Sequence, residues 1–419
     1  MMFQVPILSD RLVLGTPVRG NRLHLSSLLV NLTPETHTWS RLKAALSLHR
    51  KTKGTSLCVC LSLCLCLSLS LCSVYSLDGE LSDDQKVFSE CNQTGPLGFQ
   101  DCLPAARMKL CRKIGEGTFG EVFSTTNTSG DAVALKIIPV EGCDQVNGEE
   151  QKTFGEILHE IIISKELSSL KEKKHNQTTG FIGLKDLHCV KGCYPPSLLK
   201  AWDSFNTQRG SENDRPDFFN DEQLFLILEF EFGGRDLENS NGQLASVMVS
   251  KSILHQVTAA LAVAEQELCF EHRDLHWGNV LVQSTKEKEG RFLLNGTNHS
   301  LETRGVSVRI IDYSLSRLEI GQSTSLPLSL SLSLYPSLYL QFGIYRLMRQ
   351  ENGNKWGDYQ PHSNVLWLHY LSSKLLTMTY KSRGGRGVKQ ARLDLQRFHD
   401  DVLTFRSASD ILYNCGLFQ

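Results

Sequence analysis

The chain has 419 residues, of which 41% are hydrophobic and 21% are charged, and this composition excludes a wholly disordered protein. Its 44 basic and 45 acidic side chains give a formal net charge of -1, so no overall basic charge or direct motif indicates nucleic-acid binding. Thirteen cysteines lack the spacing of a zinc site or a disulfide scaffold. We therefore expect a reducing compartment and thiols that serve mostly as small apolar residues.

Two stretches alternate leucine and serine, as translated simple-repeat DNA would. Residues 56–77 read SLCVCLSLCLCLSLSLCSVYSL, and residues 326–334 read LPLSLSLSL. The first stretch is long enough to span a membrane, but its frequent serines lower its hydropathy, so membrane association is not expected. We expect residues 1–100 to be a poorly ordered leader that contains the first tract. The second tract is expected to interrupt the folded domain at about residues 321–340.

From Cys111 onward the chain has the patterns of a folded domain. Two β-rich runs, CRKIGEGTFGEVFSTT and DAVALKIIPV, precede a helical run whose apolar residues recur three and four apart over residues 157–170. QLFLILEFEF predicts a buried strand, which Gly233 and Gly234 close. Residues 245–268 predict a long buried helix, VSVRIIDYS another strand and NVLWLHYLSSKLL an amphipathic helix. This order predicts an α+β fold with two unequal lobes.

Between the two β-rich runs lies the pattern G-x-G-x-x-G-x-V. Glycine lets backbone N–H groups approach phosphate oxygens where a Cβ would collide. Alone the pattern is weak, since glycine-rich hairpins are common. The candidate ATP-binding residues in and before it are Ile114, Gly115, Glu116, Gly117, Thr118, Phe119, Gly120 and Val122.

A lysine and a glutamate follow at positions that suit a phosphate site. Lys136 lies late in the next strand, where it could bind the α- and β-phosphates of a nucleotide. Glu160 on the following helix could hold that lysine, and Glu156, one turn earlier, is a rival. Glu160 is preferred because Ile157 and Ile161 place it beside the apolar face. A lone Lys or Glu is more often a solvated charge, so spacing alone leaves the choice open.

The strongest signal is HRDLHWGN, which supplies the pattern H-R-D-x-x-x-x-N. Asp274 is the candidate that accepts or orients a hydroxyl proton, Arg273 would steady the loop, and Asn279 would bind a metal ion. Asp312 follows a strand in IIDYS, where a carboxylate can bind the Mg²⁺ that bridges two phosphates. The alternative is a chance match in two ordinary loops, and four ordered matches in one chain argue against it.

The end of the buried strand has the composition of an adenine site. Glu231, Phe232 and Gly233 would form a hinge that offers backbone hydrogen bonds, and Ala134 and Leu281 would contact the two faces of the ring. Two acidic residues beyond the hinge are candidates for binding a basic peptide, or simply favour a helix N-terminus: Asp236 and Glu238.

The segment between Asn279 and Asp312 is longer than a catalytic loop needs. It contains Asn295–Gly296, a dipeptide typical of tight hairpin turns. We therefore predict an additional two-stranded ribbon there.

These residues resemble those of eukaryotic protein kinases, and more narrowly the haspin family, the atypical kinases of mitotic chromosomes. The similar phrases are HRDLHWGN, IIDYS in place of D-F-G, EILHEIIISKEL, YPPSLLKAWD, NDRPDFF, LEFEFGG and NVLWLHYL. They cover about residues 111–318 and 341–419. The resemblance implies a bilobal kinase-like domain over residues 105–419, with an N-lobe over about 105–232 and a C-lobe over about 233–419.

The resemblance also implies an activity. It implies transfer of the γ-phosphate of ATP, with Mg²⁺, to a threonine near the N-terminus of core histone three by a serine/threonine protein kinase. Lys136 and Glu160 would be the ion pair, Asp274 the catalytic base, and Asn279 and Asp312 the metal ligands. A basic histone tail as partner, association with chromatin, a location on chromosomes in the nucleus, a role in mitosis and a monomeric state follow from the same resemblance.

Two other classes stay open. H-x-D-L-H-x-G-N also resembles aminoglycoside and choline phosphotransferases, which are small-molecule kinases. The complete glycine-rich pattern and Arg273 favour the protein kinase. The other alternative is an ATP-binding pseudokinase or an inactive splice product.

Two departures from the family bear on that last alternative. The tract at 321–340 occupies the place of an acidic activation segment that contacts the basic histone tail, and leucine and serine cannot supply those carboxylates. Gly343 stands where related sequences carry an Asp that braces the catalytic loop. Losing that carboxylate would leave backbone donors unpaired, at a cost of roughly 1–3 kcal/mol. We therefore expect an intact ATP site with poor peptide phosphorylation.

Overall fold

A computed structural model describes residues 81–320, 324–325, 340–382 and 384–418. In this part of the chain a β-rich region precedes a mainly helical one, so the predicted α+β class is confirmed. The β-rich region contains α1 (Asp83–Glu90), β1 (Leu97–Gly98), α2 (Phe99–Cys102), α3 (Ala105–Met108), β2 (Arg112–Gly117), β3 (Gly120–Thr126), β4 (Ala132–Val140), α4 (Phe154–Ser169), β5 (Leu184–Lys191), α5 (Pro196–Arg209) and β6 (Leu224–Glu231).

The second region contains β7 (Arg235–Asp236), α6 (Met248–Leu268), β8 (Val280–Ser284), β9 (Glu289–Leu294), β10 (Thr297–Glu302), β11 (Val306–Ile310), β12 (Glu319–Ile320), β13 (Thr324–Ser325), α7 (Leu340–Glu351), α8 (His362–Thr377), α9 (Val388–Asp401) and α10 (Ala408–Asn414). Short 3₁₀ turns lie at Leu170–Glu172, Trp277–Asn279 and Val402–Thr404.

The six-stranded sheet of the first region has the order β1-β5-β6-β4-β3-β2 and is covered on both faces. Phe225 and Ile227 of β6 belong to one buried apolar cluster, and Leu226 and Leu228 belong to another that includes Ile157 of helix α4. Because successive strand residues point to opposite faces, burial of both faces explains why QLFLILEFEF is apolar without alternation.

The folded part begins earlier than the sequence analysis placed it. Residues 81–100, assigned there to a poorly ordered leader, include helix α1, whose Val87 is fully buried in the cluster beneath α4. The ring of Phe88 packs edge-on against Phe154 at a centroid distance of 5.8 Å. A helix of eight residues has no sustained apolar period, so only these tertiary contacts identify it. The leader before residue 81 lies outside the described residues.

Helix α6 runs buried through most of its length, as its composition predicts. Cys269 ends it in the left-handed conformation, with φ 47°, and the chain then enters the segment that carries HRDLHWGN. A three-stranded sheet of order β11-β8-β7 follows. Val280 of β8 pairs with Ile310 of β11, so Asn279 and Ile311 lie side by side at the ends of these strands.

The predicted hairpin between these strands is confirmed. Strands β9 and β10 pair antiparallel, with Leu294 opposite Thr297. Asn295 and Gly296 form the turn with φ values of 51° and 76°, the positive values that a two-residue hairpin of this type requires.

All eight cysteines within the described residues are free, and four of them are buried. Burial raises the pKa of Cys91 and Cys189 to about 12, so both stay protonated and act as small apolar side chains. No helix in this part of the chain has the length and hydropathy needed to cross a bilayer. The tract at residues 56–77 and residues 326–339 of the second tract lie outside the described residues.

Candidate active site

Lys136 and Glu160 meet between strand β4 and helix α4. Lys136 pairs with Leu228 across the sheet, so its side chain lies on the face that α4 covers. Its Nζ lies 2.6 Å from Glu160 Oε1, and the Glu160 side chain is only 4% exposed. Glu156 instead completes the N-terminal capping box of α4, where its Oε2 accepts a hydrogen bond from the N–H of Thr153 at 2.8 Å. Glu160 is therefore the residue that faces Lys136.

Asp312 joins this pair from the second region. Its Oδ1 lies 3.8 Å from Lys136 Nζ. Burial by itself would raise the pKa of Asp312, but Lys136, hydrogen bonding with Ser314 and the charge of Lys152 together lower it below its ordinary value. Burial likewise favours a higher pKa for Glu160, but Lys136 and Lys152 bring it down to about 2. Both carboxylates are thus ionised at neutral pH, and Lys136 keeps its charge because Asp312 and Glu160 raise its pKa against the effect of burial.

The HRDLHWGN segment is held by buried polar contacts. Arg273 is 1% exposed, and its Nε and Nη2 each donate to the carboxylate of Glu271 at 3.1 Å. Ser363 Oγ also donates to Glu271, at 2.8 Å. This bidentate buried ion pair fixes the loop immediately before Asp274. The backbone of Arg273 has φ 66°, a costly conformation for a residue with a side chain, which the surrounding contacts maintain.

Hydrogen bonds connect this loop to the strand end that carries Asp312. Asn279 Nδ2 donates to the carbonyl of Asp274 at 2.8 Å, and the N–H of Ile311 donates to the carbonyl of Asn279 at 3.0 Å. His272 Nε2 lies 3.0 Å from the carbonyl of Ile311. Asp312 has φ 63°, so a second functional candidate occupies the left-handed region. These bonds bring Asp274 and Asn279, from one segment, next to the strand end that carries Asp312, whose carboxylate lies beside Lys136.

The glycine-rich loop is the hairpin of β2 and β3. Gly117 pairs with Gly120, and a Cβ on Gly120 would lie 2.3 Å from the carbonyl oxygen of Ile137, so only glycine fits there. Asn147 Nδ2 donates to the carbonyl of Thr118 at 2.9 Å, which ties down the loop tip. Other candidates near the loop flank this turn: Gly115 pairs with Val122, and Ile114 is exposed on β2.

Glu116 has a different environment from the rest of the loop. Its carboxylate accepts hydrogen bonds from Lys113 Nζ at 2.7 Å and from Ser211 Oγ at 2.6 Å. The N–H of Glu212 adds a third, at 2.9 Å. The Glu116 carboxylate is thus fully engaged by Lys113 and by the segment after helix α5. Any contact of Glu116 with a nucleotide would therefore be through its backbone.

The hinge candidates lie where β6 leaves the sheet. A Cβ on Gly233 would lie 2.6 Å from Leu281 Cδ1, so the hinge backbone and the Leu281 side chain are in close contact. Glu231 accepts a hydrogen bond from Arg309 Nε at 2.8 Å, which links the hinge to β11. The N–H of Phe232 donates to the carbonyl of Ala132 at 3.3 Å. Ala134 on β4 pairs with Phe230 on β6.

The two acidic candidates beyond the hinge have different environments. Asp236 accepts hydrogen bonds from both the N–H and the Nδ2 of Asn239 at 2.8 Å, so its carboxylate stabilises its own turn. Glu238 is next to the catalytic segment: a Cβ on Gly278 would lie 3.5 Å from its Oε2. The structure therefore brings Glu238, and not Asp236, towards Asn279.

Three residues at the site were missed by the sequence analysis. Lys152 binds the second oxygen of Glu160, at 2.7 Å; Glu271 binds Arg273; and the hydroxyl of Tyr345 donates to Asp274. Of these only Lys152 had a sequence signal, because it directly precedes the capping box that places Glu160 two turns into the helix.

Comparison with known proteins identifies relatives of this chain. A family model for a haspin-like kinase domain matches residues 47–411. The chain is 56% identical over 342 residues to the serine/threonine-protein kinase haspin of Mus musculus, covering 80% of this chain and 45% of that protein. The haspin of Bos taurus is 53% identical over 349 residues, covering 82% and 44%, and the haspin homolog of Drosophila melanogaster is 38% identical over 335 residues, covering 78% and 59%. The chain thus spans less than half the length of its mammalian relatives.

Proposed function

Because this chain belongs to the haspin-like kinase family, we propose that it is a serine/threonine protein kinase that transfers the γ-phosphate of ATP to a threonine in the N-terminal tail of core histone three. The observation that carries the proposal is the convergence of Lys136, Glu160 and Asp312, which places a half-buried lysine, paired with two carboxylates, beside the strand end that is hydrogen-bonded to the Asp274 segment. Such an arrangement suits the triphosphate of a nucleotide. A chromosomal location in the nucleus, association with chromatin and a monomeric state belong to the same proposal.

Within this proposal each residue has a defined part. Lys136, held by Glu160, would neutralise the α- and β-phosphates, and the loop around Gly117 would approach them with its N–H groups. The hinge would bind the adenine. Asp274 would orient the attacking hydroxyl and accept its proton.

The residues present also fit a magnesium ion. Asp312 supplies an ionised carboxylate, and the Nδ2 of Asn279 is engaged by the Asp274 carbonyl, which leaves the Asn279 amide oxygen to act as a ligand. When bound, the ion would neutralise charge that develops on the phosphates. Among the described residues no three His, Cys, Asp or Glu side chains cluster into a metal site, so phosphate oxygens would complete the coordination.

The histone substrate follows from the family resemblance, and one contact supports a basic peptide. Glu238 is half-buried next to Gly278 in the catalytic segment, where its carboxylate could meet a Lys or Arg of the peptide. The acidic activation segment of the family has no counterpart in the leucine–serine tract.

The test is phosphate transfer from labelled ATP with Mg²⁺ by the full purified chain. The acceptors are a histone-three tail peptide, the same peptide with its threonines changed to alanine, and a set of aminoglycosides and choline. Transfer to the first peptide alone, abolished by Asp274→Asn, supports the proposal. Transfer only to small alcohols or amines would assign a small-molecule kinase instead.

A second candidate is an ATP-binding protein with little transfer activity. Gly343 favours it, since the Asp of the family is absent from the helix that faces the catalytic segment. Binding of ATP with Mg²⁺ in the absence of transfer to any acceptor would establish this second function.

A further inference from the structure

The Glu160 carboxylate is bound by two lysines, one on each oxygen. Lys136 contacts Oε1 at 2.6 Å and Lys152 contacts Oε2 at 2.7 Å. The Lys152 side chain is 14% exposed, so this second ion pair is largely removed from water. A buried carboxylate that loses one of two charged partners retains an unsatisfied oxygen, which is costly.

The backbone of Lys152 is fixed independently of helix α4. Its carbonyl accepts a hydrogen bond from the N–H of Glu141 at 3.0 Å, and the residue pairs with Val140 at the end of β4. Thr153, the next residue, is the N-cap of α4. Lys152 therefore reaches Glu160 from the junction of strand and helix.

The same amine also contacts the glycine-rich loop. Lys152 Nζ lies 5.2 Å from the centroid of the Phe119 ring, within the range of a cation–π interaction. Phe119 is partly buried at the loop tip and packs against the apolar cluster that contains Ile157 and Ile161. One cation thus touches both the loop that would cover the phosphates and the carboxylate that holds Lys136.

We propose that Lys152 is a positioning residue that couples the glycine-rich loop to Glu160, and so holds Lys136 and the loop in the geometry that binds the nucleotide phosphates. The inference rests on the proposed function for its nucleotide. Without Lys152, Glu160 Oε2 would compete for Lys136, which would draw Lys136 away from phosphate. The loop tip would lose its charged contact at the same time.

The test compares Lys152→Met and Lys152→Arg in the full chain. We expect Lys152→Met to weaken binding of ATP with Mg²⁺ by calorimetry about tenfold and to speed hydrogen exchange at residues 115–120 before nucleotide is added. Lys152→Arg keeps a cation within reach of both partners, and we expect affinity within about threefold of the unmodified chain. Lys191→Met is the matched control. Lys191 ends strand β5 and forms an exposed ion pair with Glu222, so its replacement should change neither the affinity for ATP nor the loop exchange.

A double-mutant cycle with Phe119→Leu tests the coupling itself. If Lys152 acts through Phe119, the double variant with Lys152→Met should bind nucleotide more tightly than the product of the two single effects predicts. Additive effects, or a Lys152→Met variant that melts at a lower temperature with unchanged affinity and loop exchange, would overturn the proposal and leave a purely structural ion pair.

A failure of the proposed kinase function can be distinguished from a failure of the proposed role of Lys152. If the unmodified chain binds no nucleotide, the proposed function fails, and loop exchange in the nucleotide-free chain still decides the role of Lys152. If Lys152→Met does not fold, the affinities of Lys152→Arg and Phe119→Leu for ATP with Mg²⁺ are compared instead. A Lys152→Arg variant that binds ATP as weakly as Phe119→Leu would contradict the proposal.

Discussion

His272 makes two different hydrogen bonds with its two ring nitrogens. Nδ1 accepts from the N–H of Asp274 at 3.2 Å, so Nε2 must carry the proton that it donates to the carbonyl of Ile311 at 3.0 Å. The residue is fully buried, and burial lowers its pKa to about 4. The neutral imidazole thus links the catalytic segment to the strand end that carries Asp312.

Acid should therefore destabilise the fold through His272. Its folded pKa of about 4 lies below the ordinary 6.5, so the stability that the neutral ring contributes is complete above pH 6.5 and is lost as pH falls towards 4. Between pH 7 and pH 4.5 this amounts to about 2 kcal/mol. His272→Phe keeps the aromatic packing and cannot titrate, so urea unfolding at the two pH values should show a smaller difference in the variant. Equal differences in the two proteins would refute the assignment.

At the scale of elements, helix α7 carries Gly343 where the family resemblance leads us to expect an Asp. Gly343 lies within this helix, and a Cβ there would meet nothing within 4 Å. In the catalytic segment the N–H of His272 is bound by Asn364 Oδ1 and that of Asp274 by His272. An Asp at position 343 would place a carboxylate acceptor on this helix, whose Tyr345 already donates to Asp274.

Gly343→Asp should restore that acceptor. We expect an increased kcat for peptide phosphorylation, by about threefold to tenfold, with the KM for ATP little changed, since the segment holds Asp274 and not the nucleotide. Gly343→Ala is the control, because it raises helix propensity by about 1 kcal/mol without adding a carboxylate. An Ala variant as active as the Asp variant would show that helix stability, and not a brace, was the missing feature.

Elements with a long or regular apolar pattern could be predicted from the sequence. Strand β6 and helix α6 were predictable because burial on all sides requires an apolar run. The hairpin at Asn295–Gly296 was predictable because its turn requires residues that adopt positive φ values. Helix α1 could not be predicted, since two apolar residues in one short helix define no period. The motifs identified Asp274, but its contact with Tyr345 joins positions 71 residues apart, which no local spacing encodes.

At the scale of the whole molecule, we expect the leucine–serine tract to affect peptide binding more than nucleotide binding. The residues that would bind ATP lie within described segments, whereas the position of the acidic activation segment is taken by a tract without carboxylates. We therefore expect weaker charge complementarity to a basic tail and unchanged nucleotide binding.

Replacing residues 321–340 with an acidic segment should separate these two sites. We expect the KM for the histone-tail peptide to fall at least tenfold and the affinity for ATP to change less than twofold, because only the peptide gains opposite charges. A segment of the same length with Asn and Gln in place of the acids controls for loop length. A larger change in ATP affinity than in peptide KM would contradict this division.

The most direct test of one shared site is the Mg²⁺ dependence of ATP binding, measured by calorimetry with the full chain and with Asp312→Asn and Asp274→Asn. We predict that Mg²⁺ strengthens binding at least tenfold in the unmodified chain and in Asp274→Asn, and has little effect in Asp312→Asn, because Asp312, unlike Asp274, would ligate the ion. Mg²⁺-dependent binding that survives in Asp312→Asn, or ATP binding that is indifferent to Mg²⁺ in the unmodified chain, would contradict it.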